Sequence, residues 1–592
     1  MVDFVTYVTV DKKADLAVVG KKFNELVATS AGAGSDAMVF KWKIGFQPIT
    51  DIHLRSDYNP EPAINNGDIQ HVQFFSIVAV FILLMAWVNY INLSTARVMH
   101  RAREVGIRKS IGACRKQLIS QFILESLLIN FIAALLSLGI PFLTLPLLNK
   151  IIGKKITFSM VLSPEFWIWF VLIVILGAVL SGLYPAFVLS SFKPVSVLKS
   201  NKTSDGRGFG LRKGLIVFQF LSSVLLISGT YLVYKQITFM KEQDLGVDME
   251  KILVLNGPRV FLETLEKGER EGSKYRTFKN QATSHHAVTS VSASSSVPGR
   301  GYYYTEGFRR SGAPRDADKG VNIIIADTDF TDAYDLEFLA LVPFSKEIDP
   351  DRWGIINEEA LKTFGFSRAE EALHEKLVNN WGDTLEVSGV VKNVHWNSLR
   401  DAHSPVLVAL NNNWGEYFSI KIKLSDIPQT IAHIEGAYHT VFPNDPFHYF
   451  FLEEDFNRQY QAELRFGKLF SAFSLLAVFI ACSGLFALVS FSATLRVREI
   501  GIRKVFGAST HNLMVLLSGE YLVLLLVAVI LAIPVIILWG RDWLNNYAYK
   551  TGMALDIILM PVLILVFVSF LTVGYRTYVA SIADPVNSLK AE

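Results

Sequence analysis

The sequence predicts an α-helical multi-pass membrane protein, with seven spans in two repeated bundles and an α+β extracytoplasmic domain. Its 592 residues are 51% hydrophobic and only 19% charged, whereas soluble domains usually carry about a quarter charged residues. Seven apolar stretches are long enough to cross a bilayer, and a basic motif of eleven residues occurs twice between such stretches. These observations predict both the membrane class and the repeat.

The seven apolar stretches are predicted to be membrane helices. Crossing the hydrocarbon takes about 20 apolar residues in a helix, and a helix satisfies its own backbone hydrogen bonds there. The stretches are residues 73–93, 119–146, 166–189, 214–234, 469–491, 513–539 and 557–580.

The segment 235–468, between the fourth and fifth stretches, predicts a folded domain outside the bilayer. Short apolar runs such as 385–391 and 406–410 are typical of strands, and the amphipathic segment 427–441 is typical of a helix. Together they predict an α+β domain.

Basic residues in the short loops predict the orientation of the chain. The connector 95–117 holds seven Lys and Arg residues and the connector 190–213 holds six, whereas the alternate loops 147–165 and 540–556 hold three and two. Cytoplasmic loops carry the excess of Lys and Arg in membrane proteins. The connectors and the C-terminus are therefore predicted to be cytoplasmic, and the segment 235–468 to lie outside.

The basic motif is the most informative feature of the chain. Residues 103–113 (Arg-Glu-Val-Gly-Ile-Arg-Lys-Ser-Ile-Gly-Ala) return as residues 498–508 (Arg-Glu-Ile-Gly-Ile-Arg-Lys-Val-Phe-Gly-Ala), at an offset of 395 (501 − 106). Glycines of this kind cap or break short helices. An apolar and basic helix between them can lie in the membrane interface or press into a groove on a cytoplasmic partner.

Orientation in the membrane is the simpler interpretation of a basic loop, but it requires charge and no fixed residue order. The repeated order therefore favours docking of a partner. The candidate docking residues are Arg103, Glu104, Gly106, Ile107, Arg108, Lys109 and Gly112 in the first copy and Arg498, Glu499, Gly501, Ile502, Arg503, Lys504 and Gly507 in the second.

The repeat extends beyond the motif and defines two halves. Residues 190–199 match residues 581–590 at an offset of 391 (585 − 194), and such a duplicated bundle predicts a pseudo-two-fold axis along the membrane normal. The span 214–234 has no counterpart in the first half, and the first residues contain no signal peptide. We therefore expect the chain to lack an N-terminal span and much of a first external domain.

The pattern Arg-Glu-x-Gly-Ile-Arg-Lys-x-x-Gly-Ala between two spans resembles the signature of the FtsX/MacB-like permeases of ABC transporters. The two-bundle arrangement resembles the large Bacteroidetes type of this family. The resemblance implies a permease subunit that transmits ATP-driven motion from a separate ATPase to an external domain, for export of a drug, peptide or lipoprotein. The alternative is an FtsX-type signalling subunit that controls an external hydrolase.

The resemblance also implies where the chain works and with which partners. It implies a multi-pass protein of the bacterial inner membrane, with the large domain in the periplasm. The implied partners are a cytoplasmic ABC ATPase subunit and the lipid bilayer. A periplasmic adaptor, an outer-membrane partner and a permease dimer stay open, and no nucleic acid is expected.

The chain itself is not expected to be an enzyme. It contains no GxxxxGK[ST] phosphate loop, so ATP and Mg²⁺ are expected to act on the partner ATPase, and no cofactor or metal is expected here. His285, His286 and His395 are expected to be loop or packing residues, because no catalytic or metal-binding constellation surrounds them in the sequence.

Two carboxylates inside the apolar stretches are further candidates. Glu125 and Glu520 keep the offset of 395. A carboxylate within a bilayer is costly and indicates a function by default, such as a proton or substrate contact. Pairing with basic side chains at the same depth, such as Arg115 or Lys116, is the structural alternative, and we favour it because the implied work is mechanical.

The chain divides at these boundaries into five regions. They are a remnant of a first periplasmic domain with its stalk (1–71), a first transmembrane bundle of three spans (72–200), a linker with the fourth span (201–234), a periplasmic α+β domain (235–466) and a second bundle of three spans (467–592).

Overall fold

The computed structural model describes most of the chain, and its contacts divide the chain into two compact units. The described residues are 7–11, 13–32, 45–55, 67, 69–96, 105, 107–153, 155–191, 209–258, 272–342, 352–411, 415–424, 426–495, 502–503 and 506–582. The extracytoplasmic unit comprises Met1–Asp68, Met240–Gln461 and Tyr547–Tyr549, and the membrane unit comprises Ile69–Phe239, Ala462–Asn546 and Lys550–Glu592.

The helices and strands are numbered in chain order. The helices are α1 (Leu16–Gly32), α2 (Ile69–Ala96), α3 (Arg115–Ile152), α4 (Pro164–Ser191), α5 (Phe209–Lys241), α6 (Gly272–Thr283), α7 (Phe330–Ala333), α8 (Glu358–Thr363), α9 (Ala369–Ala372), α10 (Ile427–Val441), α11 (Leu452–Asn457), α12 (Gln461–Leu495), α13 (Thr510–Leu544) and α14 (Asp556–Ile582). The strands are β1 (Ile252–Asn256), β2 (Val288–Ser294), β3 (Tyr304–Arg310), β4 (Lys319–Ala326), β5 (Phe338–Leu341), β6 (Trp353–Asn357), β7 (Lys376–Asn379), β8 (Thr384–Val391), β9 (Val406–Leu410), β10 (Tyr417–Ile422) and β11 (Tyr449–Phe451).

The seven predicted spans are helices α2 to α5 and α12 to α14. Within the described residues, six of them are long and apolar enough to cross a membrane, and α14 is apolar over the shorter range Asp556–Thr572. Most of these helices extend beyond the apolar stretch, because polar residues at each end continue the helix toward the interface. The fold class predicted from the sequence is confirmed.

Small and polar residues bring α2, α3 and α4 close together. A Cβ added to Gly177 of α4 would lie 2.5 Å from Nε1 of Trp87, so only glycine fits there. Tyr90 and Ser126 share a hydrogen bond of 3.1 Å between their hydroxyls. Membrane helices pack through such small residues and interhelical hydrogen bonds because lipid gives no hydrophobic driving force between them.

The two halves of the repeat meet where α2 packs against α12. The ring of His71 stacks on that of Phe466, with centroids 4.5 Å apart, and Asn89 approaches Gly484 so closely that a Cβ there would lie 2.5 Å from its Oδ1. Both pairs have the offset of 395 (466 − 71 and 484 − 89). Contact between equivalent residues is what a two-fold axis between two helices produces.

The strands of the extracytoplasmic unit form two parts. One is an antiparallel sheet in the order β11-β1-β10-β2. In the other, β4, β9, β6, β8, β7 and β3 pair successively, and β3 pairs again with β4, so six strands form a closed ring. The two parts are joined at the pair Ser294 and Ala326.

Each part has its own core. Helices α6 and α10 cover the antiparallel sheet with Phe278 and Tyr438, which pack near Phe418 of β10. The core of the closed ring includes Ile323 of β4 and Val390 of β8. The ring is therefore a packed structure built from side chains of several strands.

A buried carboxylate lies where the two parts join. Asp327, directly after β4, accepts hydrogen bonds from the hydroxyls of Tyr275 and Ser292, each at 2.6 Å. Nζ of Lys279 lies 3.6 Å from the same carboxylate. Burial raises the pKa of Asp327, and Lys279 and the two hydroxyls oppose that rise. The network ties α6 and β2 to the end of β4.

We predict that Asp327→Ala destabilises the extracytoplasmic unit by about 2–4 kcal/mol, because the buried hydroxyl of Ser292 would lose its acceptor and that of Tyr275 would keep only the carbonyl of Val291, at 3.4 Å. Hydrogen exchange of peptides from α6 and β2 in the full chain measures the change, and exchange there should accelerate. Asp316→Ala removes an exposed carboxylate and should change stability by less than about 0.5 kcal/mol. Equal exchange in the two variants would contradict the role of the network.

Candidate functional site

The first motif connector lies between α2 and α3 and ends in a defined helix cap. Residues 107–110 are helical, and the predicted docking residues Arg103, Glu104 and Gly106 lie outside the described residues. The N–H of Ala113 donates to the carbonyl of Arg108 at 3.0 Å, and the N–H of Gly112 donates to that of Lys109 at 3.1 Å. Gly112 has a φ of +102°, so the segment ends in a Schellman motif.

The second connector, between α12 and α13, repeats this cap. The N–H of Ala508 donates to the carbonyl of Arg503 at 2.9 Å, and Gly507 has a φ of +89°. Each donor, acceptor and glycine is the equivalent of one in the first connector at the offset of 395. The predicted residues Arg498, Glu499, Gly501 and Lys504 lie outside the described residues.

Each connector presents two apolar side chains beside its basic residues. Ile107 and Ile111 are exposed in the first connector, and Ile502 and Phe506 occupy the equivalent positions in the second. Ile111 is 80% exposed and Phe506 is 87% exposed. Because each pair is four residues apart, its side chains lie on one side of a helical turn.

Ile111 and Phe506 are not among the residues predicted from the motif. They occupy the third variable position of its pattern, where the two copies have different residues. A comparison of the two copies by hydrophobicity, rather than by identity, would have found them, since both side chains are large and apolar.

The first connector is anchored to its bundle by Val105. This side chain is buried in a cluster with Leu118 and Phe122 of α3 and Ala186 of α4. In addition, Nη1 of Arg108 donates to Oε1 of Gln121 at 2.6 Å. A force on the connector would therefore act on α3 and α4.

Each connector leads directly into a capped helix. The N–H of Cys114 donates to Oε1 of Gln117 at 3.1 Å at the start of α3. At the equivalent start of α13, Oγ of Ser509 accepts a hydrogen bond of 3.3 Å from the N–H of Asn512. Such caps satisfy orphan N–H groups of the first turn, so the beginning of each helix is well defined.

The two candidate carboxylates lie in α3 and α13. Oε1 of Glu520 lies 3.2 Å from Nζ of Lys213, which joins α13 to α5. Glu125 is half-buried in α3. The cation beside Glu520 is therefore a lysine of a different helix, α5. The structural alternative named basic residues at the start of the same helix, such as Arg115 and Lys116 of α3 in the first half.

Helix α5 is also attached to the second bundle at its other end. Nζ of Lys235 donates to both oxygens of Asp556 in α14, at 2.7 and 2.9 Å. The hydroxyl of Tyr231 donates to the same carboxylate at 3.2 Å. With the Lys213–Glu520 pair, these contacts hold α5 to the second bundle over nearly its whole length.

Part of the loop between α13 and α14 belongs to the extracytoplasmic unit. The N–H of Ala548 donates to the carbonyl of Arg400 at 2.9 Å. The ring of Tyr549 meets that of His395 edge-on with centroids 4.6 Å apart, and the ring of His403 lies tilted by 31° against His395 with centroids 4.1 Å apart. Burial and the neighbouring His403 lower the pKa of His395 to about 4, so this histidine packs in its neutral form.

His285 and His286, the other two histidines considered in the sequence, also make ring contacts. His285 lies against His286 and His433, with centroids 4.6 and 5.0 Å away. Within the described part of the chain, no group of three or more histidine, cysteine, aspartate or glutamate side chains has the arrangement of a metal site.

Two segments of the chain match the family model described as FtsX-like permease C-terminal. They are residues 76–194 and 471–582, and each contains one motif connector with the helices on both sides of it. These two segments are FtsX-like permease segments, and the chain is similar in them to the FtsX/MacB-like ABC permeases. The resemblance drawn from the motif is thereby confirmed.

Individual relatives of this permease match shorter segments. The uncharacterized ABC transporter permease YknZ of Bacillus subtilis is 32% identical over 124 residues, which are 21% of this chain and 30% of that protein. The macrolide export ATP-binding/permease protein MacB of Psychrobacter cryohalolentis is 26% identical over 150 residues, which are 25% of this chain and 22% of that protein. The permease thus spans less than a third of the length of these relatives.

One solved structure similar to part of the permease is the periplasmic region of MacB from Actinobacillus actinomycetemcomitans. The match has a TM-score of 0.25 and 14% sequence identity, and it covers 36% of this chain and 94% of that chain.

We predict that Gly112→Ala and Gly507→Ala each weaken a connector cap by about 1–2 kcal/mol, because a side chain disfavours the left-handed backbone of these positions. An added Cβ would meet nothing within 4 Å at either glycine, so the effect is one of backbone conformation alone. Hydrogen exchange at Ala113 and Ala508 should accelerate about tenfold.

Two further variants separate conformation from side-chain size in that experiment. Asn adopts the left-handed conformation more readily than Ala, so Gly112→Asn should recover much of the protection. Gly519→Ala, inside α13 and equally free of neighbours, should leave both caps unchanged. A cap that exchanges normally in Gly112→Ala would contradict the assignment.

We predict that acid weakens the extracytoplasmic unit through His395. Its pKa is about 4 in the folded permease and about 6.5 in an unfolded chain. As the pH falls from 6.5 toward 4, the unfolded chain therefore binds a proton that the folded one excludes, and stability decreases. His395→Phe should reduce the fall in melting temperature between pH 7 and pH 5. His439→Phe, at an exposed histidine, should not, and an unchanged slope in His395→Phe would contradict the prediction.

Proposed function

We propose that this chain is the permease subunit of an ABC transporter complex of the bacterial inner membrane. It transmits ATP-driven motion from a separate cytoplasmic ATPase to its extracytoplasmic domain, for export of a drug, peptide or lipoprotein. The ATPase uses ATP and Mg²⁺, and the connectors and C-terminus are cytoplasmic. The observation that carries the proposal is the pair of equivalent connectors, each capped in the same way and each with two exposed apolar side chains beside arginines.

The chemistry of the connectors supports docking of a protein. Large apolar side chains with arginine nearby are typical of the residues that dominate protein interfaces. Orientation in the membrane requires the basic residues but does not require Ile111 or Phe506. Two equivalent sites also fit a partner that presents two equivalent surfaces, as a dimeric ATPase would.

The contacts of α5 and α12 support the transmission of motion. Helix α5 continues along the chain into the strand β1, and α12 follows α11 from the same domain. Both helices belong to the packed core of the membrane unit, where Thr230 of α5 and Ser474 of α12 share a hydrogen bond of 2.6 Å. Displacement of the bundle therefore moves both chain segments that carry the domain.

The export role rests on the similarity to several macrolide export proteins, and we favour it over the signalling alternative. A periplasmic adaptor, an outer-membrane partner and a second copy of the permease are the further partners in this proposal.

The sharpest test replaces the exposed apolar side chains and keeps every basic residue. The double variant Ile111→Asp with Phe506→Asp should weaken co-purification of the ATPase at least tenfold, and each single variant should have an intermediate effect because one site stays intact. Leu162→Asp is the matched control, since this leucine is similarly exposed but lies in the loop between α3 and α4.

ATP hydrolysis by the purified complex gives a second measurement for the same variants. Charge reversal of Arg108 and Arg503 should also weaken the complex, but it changes the basic residues that orient the chain. The apolar variants keep every basic residue, so they distinguish loss of ATPase docking from a change of membrane orientation. An ATPase complex that survives both the apolar double variant and the charge reversal would overturn the proposal.

A further inference from the structure

The membrane unit contains a cavity of about 290 Å³ among helices α2, α5, α12 and α13. Its walls are apolar and rich in aromatic rings, including Phe74, Phe81, Phe470 and Trp539. The rings of Phe74 and Trp539 stack with centroids 5.2 Å apart and planes 9° apart. None of the described residues that line the cavity is charged.

Two serines of α5 line this apolar cavity, and the hydroxyl oxygen of each is buried beneath its surface. Ser222 and Ser228 of α5 are 2% and 1% exposed, and no group in the described residues forms a hydrogen bond with either hydroxyl. Leaving a buried hydroxyl without a partner is unfavourable. On the same helix, the hydroxyl of Thr230 donates to the carbonyl of Leu226 at 2.9 Å, so α5 satisfies a neighbouring hydroxyl with its own backbone.

The cavity opens sideways, toward the lipid. Ile77 of α2 and Val535 of α13 line it and are exposed on the outside of the membrane unit. Pro534 precedes Val535 within α13, and because proline has no N–H, the helix lacks one backbone hydrogen bond beside the opening. A molecule dissolved in the bilayer could therefore enter between α2 and α13.

We propose that this cavity binds an uncharged lipophilic molecule that enters from the bilayer and pairs its isolated oxygen or nitrogen atoms with the hydroxyls of Ser222 and Ser228, each of which turns toward the cavity by rotation about χ1. The cavity volume is about ten times the ~30 Å³ that one water molecule occupies in the liquid. It is at the low end of the roughly 300–1,000 Å³ that small-molecule binding sites have. Such a volume suits a small molecule and excludes a folded domain.

The position of the hydroxyls defines the ligand further. They are six residues apart, or about 9 Å along the helix at ~1.5 Å per residue, and they flank the middle of α5. The ester groups of phospholipids lie at the membrane interface, so they do not reach this depth. A charged ligand is disfavoured because the walls supply no counter-charge. The inference is independent of the proposed function, since binding requires no ATPase.

The test uses 4-hydroxybenzophenone, an uncharged lipophilic probe with a carbonyl and a hydroxyl, which crosslinks to nearby C–H groups under light. The full chain is placed in lipid nanodiscs without ATPase, and mass spectrometry maps the crosslinks. We expect saturable labelling concentrated on the residues that line the cavity. Ser222→Ala with Ser228→Ala should reduce that labelling at least tenfold and should leave the fold intact, because the change removes only unpaired hydroxyls.

Matched variants separate the cavity from general effects. Ser223→Ala removes another buried hydroxyl of α5 that does not line the cavity, and it should leave labelling unchanged. Ile77→Trp should obstruct the opening and reduce labelling, whereas Ile132→Trp, on an exposed surface of α3, should not. Labelling that cannot be saturated and spreads over all exposed helices, or an equal loss in Ser223→Ala, would overturn the proposal.

Discussion

The packing of α2 against α12 is the contact on which the arrangement of the membrane unit depends. His71 meets Phe466 and Asn89 meets Gly484, and both are pairs of equivalent residues. Contact between equivalent residues is what a two-fold axis between two helices produces. The motif connectors follow α2 and α12 in the chain, and their described residues end in equivalent backbone caps.

Helix α5 departs from this symmetry, and its contacts explain how the second half differs from the first. Ion pairs with Glu520 and Asp556 join it to α13 and α14. The same helix carries the hydroxyls of the intramembrane cavity and continues into the extracytoplasmic domain. A ligand in the cavity would therefore contact the helix that links the bundle to the domain, which gives a physical route by which occupancy could influence coupling.

Local patterns explain which elements could be predicted. A bilayer requires about 20 apolar residues per helix, so the seven helices were recognisable from hydrophobicity alone. The α10 helix was predicted at residues 427–441 and is observed at the same residues, because its amphipathic period is a local property. The prediction of the docking residues was less complete. Ile111 and Phe506 were missed because the motif was defined by residues that are identical in both copies. The exposure of a side chain depends instead on which neighbouring helices pack over it.

By itself, the sequence determined the membrane class, the two-fold repeat and the position of both connectors, since each of these depends on composition or on the order of nearby residues. Only the tertiary structure decided that Lys213 pairs with Glu520, that Asp327 joins two parts of the extracytoplasmic unit, and that four helices line a cavity beside two unpaired hydroxyls. These features depend on residues tens to hundreds of positions apart. Their proximity results from the packing of whole helices and strands, which no local pattern encodes.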